Sequence, residues 1–189
     1  MIKFILLVNK QGQTRLASYY NWLSVSERVA LEAEIIRRCL SRAELQCSFM
    51  TFRGYKVVYR RYASLYFIVG IDEEDSNELG ILEFIHCYVE MLDKFFGNVC
   101  ELDLMFSIDV SHHILDEMVI NGHIVETNRA NVLKPVRCFF CANIYFLGKS
   151  GTTTTNKRFE KFALFNRLPC WKKFQIKTAK NRIRQGDQN

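Results

Sequence analysis

Three strand-like runs, Cys47 to Phe52, Tyr55 to Tyr62 and Leu65 to Ile71, follow one another with only Arg53-Gly54 and Ala63-Ser64 between them. Two-residue links leave no room for a crossover, so consecutive runs must pair antiparallel as a meander. Upstream, the apolar and partly β-branched run Ile2 to Val8 leads into Asn9-Lys10-Gln11-Gly12, a composition that favours a tight turn. Thr14 to Tyr20 reads as the returning strand. Hairpin plus meander predict a five-stranded antiparallel sheet.

Helices are expected on both faces of it. Ser24-x-x-Glu27 is a capping box, after which Val29, Ala33, Ile36 and Leu40 recur at helical spacing, with Glu32, Glu34, Arg37 and Arg38 elsewhere on the wheel. The acidic patch Asp72-Glu73-Glu74-Asp75 before Ser76-Asn77 marks a second helix start, favoured by capping and by the helix dipole. From there Leu79, Leu82, Ile85, Val89, Leu92 and Phe96 keep one face apolar up to a stop at Gly97-Asn98. Shorter helical stretches, near Cys100 to Phe106 and Asp109 to Ile120, end at Asn121-Gly122. The sum is an α+β layer arrangement, of the profilin-like or longin-like kind.

With 189 residues, 49% apolar and 24% charged, the chain has enough apolar material for one globular core. Two prolines and nine glycines exclude long low-complexity linkers. The net charge of +6 is unevenly spread: residues 1–136 hold 14 Lys and Arg against 18 Asp and Glu, whereas residues 137–189 hold 12 against 2. Basicity therefore belongs to the C-terminal segment alone, and a partner argument from the whole-chain charge would misplace it. No apolar run reaches the roughly 18 residues of a membrane-spanning helix. The chain opens on a strand pattern in place of a charged-then-apolar leader, and the expectation is a cytosolic protein. Its seven cysteines are an odd number, and the first four, Cys39, Cys47, Cys87 and Cys100, read as buried thiols among apolar neighbours.

Chemistry-bearing patterns are sparse. His112-His113 lies near Asp116 and Glu117, but adjacent helical residues point about 100° apart, so both imidazoles and the acids do not face one ion. Cys138-Phe139-Phe140-Cys141 is a single C-x-x-C with only Cys170 nearby, short of a four-ligand zinc site. There is no glycine-rich phosphate loop, dinucleotide fingerprint, nucleophile triad at a recognised spacing or internal repeat, so no catalytic, metal or cofactor site is expected. Lys56, Arg60 and Arg61 interleave with Tyr55, Tyr59 and Tyr62, a pattern compatible with nucleic-acid stacking. Strand alternation explains it more simply, with Lys56, Val58 and Arg60 on one face and Val57, Tyr59 and Arg61 on the other. Their long stems then cover apolar surface, and no specific nucleic acid is implied.

Ordered motifs across residues 1–136 carry a family resemblance. They are Asn9 to Leu16 (NKQGQTRL), Tyr59 to Phe67 (YRRYASLYF), Glu83 to His86 (EFIH), Phe96 to Asp103 (FGNVCELD) and Ile124 to Leu133 (IVETNRANVL). Together they resemble the small (sigma) subunits of adaptor protein complexes, the last motif most like those of complex 4. The resemblance implies a longin-like fold and a non-enzymatic role in a heterotetramer, clasping a large epsilon-type chain beside a beta-type large and a mu-type medium chain. It further implies a peripheral place on the cytosolic face of the trans-Golgi network and selection of transmembrane cargo. In clathrin-linked relatives the small subunit supplies most of a groove for acidic dileucine sorting signals. The matching positions here are Ala63, Leu65, Val89, Asn98, Val99 and Leu104 for the leucines, with Arg15 toward the acidic end. Aliphatic packing in a core accounts equally for Val89 and Leu104.

The resemblance ends at Val136, dividing the chain into a sigma-like domain, 1–136, and a divergent basic extension, 137–189, expected to be disordered or a gene-model extension. A chain cut after Val136 is accordingly expected to assemble normally. Trp171-Lys172-Lys173-Phe174 followed by Lys177, Lys180, Arg182 and Arg184 suits anionic headgroups or nonspecific RNA. The alternative to an adaptor subunit is thus a longin-like protein whose basic tail binds anionic membrane or RNA.

Overall fold

The computed structural model describes residues 1–43, 46–74 and 77–149, with side chains described through Phe140. Strands β1 (Ile2–Asn9) and β2 (Thr14–Tyr19) form the hairpin, α1 (Val25–Ser41) crosses away, and β3 (Phe49–Phe52), β4 (Tyr55–Tyr62) and β5 (Leu65–Asp72) form the meander. All pairs are antiparallel and the order is β2-β1-β5-β4-β3. The predicted five-stranded sheet is therefore present, closed by pairing β1 with β5, where Leu7 faces Phe67 and Leu6 faces Ile68. Helices α2 (Glu78–Phe96), α3 (Glu101–Phe106) and α4 (Ile108–Met118) follow, then the short strands β6 (Val119–Ile120) and β7 (His123–Ile124), then α5 (Arg129–Lys149).

Period-2 alternation splits the sheet into two cores. On one face Phe4, Leu6, Val8, Val57, Tyr59 and Ile68 pack against Leu31, Ile35, Ile36 and Cys39 of α1. On the other, Ile5, Leu7, Val58, Phe67 and Val69 pack against α2, with α4 and α5 alongside. The alternation expected along β4 holds: Lys56 reaches Glu78 of α2 at 2.9 Å, Arg60 lies over Tyr62, and Arg61 lies over Tyr66.

Helices α1 and α2 start where their caps dictate, and α2 also stops at its cap. Ser24 Oγ accepts from Glu27 N, while Glu27 accepts from Ser24 N at 2.9 Å. Asn77 Oδ1 accepts from Gly80 N at 3.0 Å, and Gly97 ends α2 in the left-handed region at φ 70°. The expected cap at Ser76 lies outside the described residues.

The buried stripes differ from those expected. In α1 the inward set is Leu31, Ile35, Ile36 and Cys39, while Val29 and Ala33 are exposed. In α2 it is Ile81, Phe84, Ile85, Tyr88, Met91, Leu92, Phe95 and Phe96, while Leu79 is exposed. The expected helix over 109–120 stops at Met118, because Asn121 and Gly122 take positive φ (50° and 78°) and turn β6 back on β7. That turn is pinned to the sheet by Ile2 N donating to Gly122 O at 3.0 Å. Finally, α5 passes straight through the boundary expected at Val136, so residues 137–149 continue a helix; residues 150–189 lie outside the described residues.

The thiols also need correcting. Cys39 is buried and Cys87 half-buried, but Cys47 and Cys100 are exposed, as is Cys138. Burial pushes the Cys39 thiol up to about 12, with nearby Arg42 only partly opposing. Since the thiolate is the reactive form, Cys39 is expected to resist an aromatic disulfide reagent at pH 8 until the chain unfolds, while Cys47, Cys100 and Cys138 label in the native state. Peptide mapping of the labelled sites checks this, and native labelling of Cys39 would contradict the packing of α1.

Candidate binding site at the end of the sheet

The β1–β2 turn is held by one side chain. Asn9, 4% exposed, accepts at Oδ1 from Gln11 N (3.0 Å) and Gln13 N (2.8 Å), and Gly12 supplies φ 83°. This Asx-type turn sets where β2 restarts and so fixes Thr14 and Arg15 at the sheet end. Thr14 Oγ1 and Tyr19 OH both donate to Glu32 of α1, at 3.0 and 2.6 Å, tying β2 to the helix.

Arg15 points the other way, toward α3. Its Nη2 donates to Glu101 Oε1 at 3.4 Å, and both side chains are about one quarter exposed. Its Nε is buried with no hydrogen-bond partner. The Glu101 carboxyl is held below the usual range by a hydrogen bond from Ser64, with further hydrogen bonds from Arg15 and Asn9. Asn9, Arg15, Ser64 and Glu101 thus draw together the β1–β2 turn, the β4–β5 turn and the first residue of α3. Arg15, Thr14, Leu104, Met105 and Ile108 line a small recess of about 190 Å³.

The other expected site residues distribute around this point. Leu65 (6% exposed) and Leu104 (1%) belong to the core on the α2 face, with Val89 and Val99 partly buried against it. Asn98 is exposed at φ 66°, in the turn where Asp93 Oδ1 accepts from Val99 N at 3.1 Å. Ala63, φ 52°, sits at the β4–β5 turn and lines a different recess of about 470 Å³, together with Cys39, Arg42, Tyr59, Arg61 and Tyr66. The structure therefore joins Arg15 to Leu104 in one recess, places Leu65, Val89, Val99 and Leu104 around one core, and puts Ala63 against another cavity. Reading the sequence missed Glu101 as the partner of Arg15, because 86 residues separate them and no local pattern announces such a pair.

The remaining candidates have structural surroundings. His113 packs on Phe139 and Phe140 with ring centroids 4.7 and 5.6 Å away. His86 contacts Tyr62 OH through Nδ1 at 3.2 Å and stacks on the Tyr62 ring. Among the described residues no group of three or more His, Cys, Asp or Glu is placed to hold a metal ion, and no helix is long and apolar enough to cross a membrane.

Apolar side chains stand outward in two places. Trp22, Val25 and Val29 are 86%, 77% and 63% exposed at the start of α1, and Leu102 and Phe106 are 58% and 68% exposed on α3. Scattered exposed apolar residues are ordinary, but side chains of this size repeated along one helical segment suit a partner surface.

The chain is similar to known proteins along most of its length. A family profile described as Clathrin adaptor complex small chain matches residues 1–140. The AP-4 complex subunit sigma of Arabidopsis thaliana is 64% identical over 136 residues, covering 72% of this chain and 94% of that protein. AP-4 complex subunit sigma-1 of Homo sapiens is 54% identical over 136 residues, with the same coverage of 72% and 94%. In structure, the chain is similar to one in a homology model of the full-length AP-3 complex in a stretched open conformation. There the TM-score is 0.62 at 29% identity, covering 79% of this chain and 99% of the other.

Proposed function

The chain belongs to the clathrin adaptor complex small-chain (sigma) family and is the small subunit of an adaptor complex, and from that premise we propose that it serves an AP-4-type heterotetramer. The observation that carries this reading is the near-full-length match, 94% of the AP-4 sigma chains at 54–64% identity. In this reading the chain is non-enzymatic and acts by burying apolar surface against a large epsilon-type subunit, beside beta-type and mu-type partners. The outward Trp22 just before α1, Val25 and Val29 of α1, and Leu102 and Phe106 of α3 are suited to that burial. The complex works in vesicle transport on the cytosolic face of the trans-Golgi network. Its small subunit supports cargo selection through a dileucine groove at Ala63, Leu65, Val89, Asn98, Val99 and Leu104, with Arg15 meeting the acidic end of the signal. A guanidinium presents a forked donor set that matches a carboxylate, the chemistry such a signal requires.

Co-expression with an epsilon-type trunk is the test. The chain is expected to elute from size exclusion in one-to-one complex with the trunk and to be poorly soluble without it. A small chain that elutes alone, folded and monodisperse, while the trunk elutes elsewhere, would overturn the assignment. It would favour the basic segment after Val136 as the functional element.

A further inference from the structure

Arg15 is already occupied. Its Nη2 contacts Glu101 of the same chain, so in the isolated subunit the charge that an acidic ligand would meet is neutralised from within. Three features make this contact exchangeable. It is single-pronged and long at 3.4 Å, and about one quarter of each side chain is open to water, so solvent reaches the pair as it opens. Arg15 is not the largest influence on Glu101, whose carboxyl is lowered first by Ser64 and then by Arg15 and Asn9. Arg15 is under-used by its present partner: Nε is buried without an acceptor, although a guanidinium offers five N–H groups and a carboxylate in a forked approach takes two. The recess beside it is apolar along Leu104, Met105 and Ile108. The whole therefore offers one forked cation next to room for an aliphatic side chain.

We propose that Glu101 is an internal competitor for Arg15, so that an acidic ligand binds only by drawing the guanidinium away from Glu101. This rests on the dileucine reading for the identity of the ligand, though not for the existence of the contact. Glu101 then acts as a specificity-determining residue. Weakly acidic or neutral ligands leave the internal pair intact, and only a ligand that offers Arg15 a two-pronged carboxylate exchanges with it.

Glu101→Gln tests this in the complex with the large chain, because the amide keeps the size of the side chain and an acceptor oxygen while removing the charge. Two measurements separate the inference from the reading beneath it. An acidic dileucine peptide is expected to bind the variant about fivefold more tightly than the wild type, and the same peptide with its acidic residue changed to glutamine is expected to show no gain. Independently of any peptide, modification of Arg15 by an arginine-selective dicarbonyl, followed by peptide mass spectrometry, is expected to run several-fold faster in the variant. Faster modification without binding of either peptide would leave the competitor standing and remove the dileucine reading. Weaker binding of the acidic peptide to the variant, or unchanged modification of Arg15, would overturn the proposal, since Glu101 would then only orient the guanidinium.

Discussion

Gly70→Ala is expected to destabilise the chain by about 3 kcal/mol, near the upper end of overpacking costs, and to lower its melting temperature by roughly 10 °C. The cause is one close approach at the centre of the sheet. Gly70 of β5 lies opposite Phe4 of β1, and a Cβ there would stand 2.1 Å from Phe4 Cζ. The ring is not free to move aside. It is 1% exposed, meets Tyr55 edge-on at 5.7 Å and lies 6.3 Å from Tyr19, so displacing it disturbs the whole α1-side core. Thermal melts of the wild-type and variant chains, each co-expressed and purified in complex with the large-chain trunk, check this. The double variant Phe4→Leu/Gly70→Ala is expected to recover part of the loss, because the clash and the ring are the same contact. A melt of Gly70→Ala equal to wild type would mean that Phe4 packs elsewhere.

Strand order was legible in the residues because short links permit so few arrangements: Arg53-Gly54 and Ala63-Ser64 leave β3, β4 and β5 no choice but antiparallel neighbours. Helix faces were less legible, and α1 shows why. Its apolar residues, among them Val25, Val29, Leu31, Ile35, Ile36, Cys39 and Leu40, fit more than one helical stripe, and only the sheet decides which stripe turns inward. The stripe left outside contains Val25 and Val29, which a subunit with a partner can keep apolar; spacing alone does not separate that face from the core face. By contrast, the β6–β7 hairpin had a local signal in Asn121-Gly122, a dipeptide suited to positive φ at both positions. From the sequence it reads as a helix stop, since strands of two residues leave no periodicity. At the candidate site, Arg15 and Leu104 were legible through resemblance to relatives. The contact with Glu101 required the fold, which brings β2, the β4–β5 turn and α3 together from three distant parts of the chain.

The C-terminal boundary carries the second large effect. The family profile runs to residue 140, four past Val136, and Arg137, Phe139 and Phe140 make contacts there although Cys138 and Phe139 are exposed. Phe140 meets Phe95 of α2 at 6.3 Å and His113 of α4 at 5.6 Å, Phe139 lies 4.7 Å from His113, and Arg137 Nη2 donates to Lys94 O at 3.3 Å. A cut after Val136 removes all of these. It also leaves Val132, Leu133 and Val136, each 3% exposed or less, in a final turn whose carbonyls lose their helical donors, while Pro135 offers no N–H of its own. With aromatic pairs contributing about 0.5–1.5 kcal/mol each, the loss is expected to total about 2–3 kcal/mol. A chain ending after Phe140 is therefore expected to melt above one ending after Val136 by several degrees, and to be recovered in higher yield with the large-chain trunk. The difference arises inside the core on the α2 face, so lengthening the short form residue by residue is expected to restore most of it when Phe140 is added and little when Arg137 is. Equal melts for the two cuts would support a boundary at Val136 and make the aromatic cluster of α4 and α5 incidental to stability.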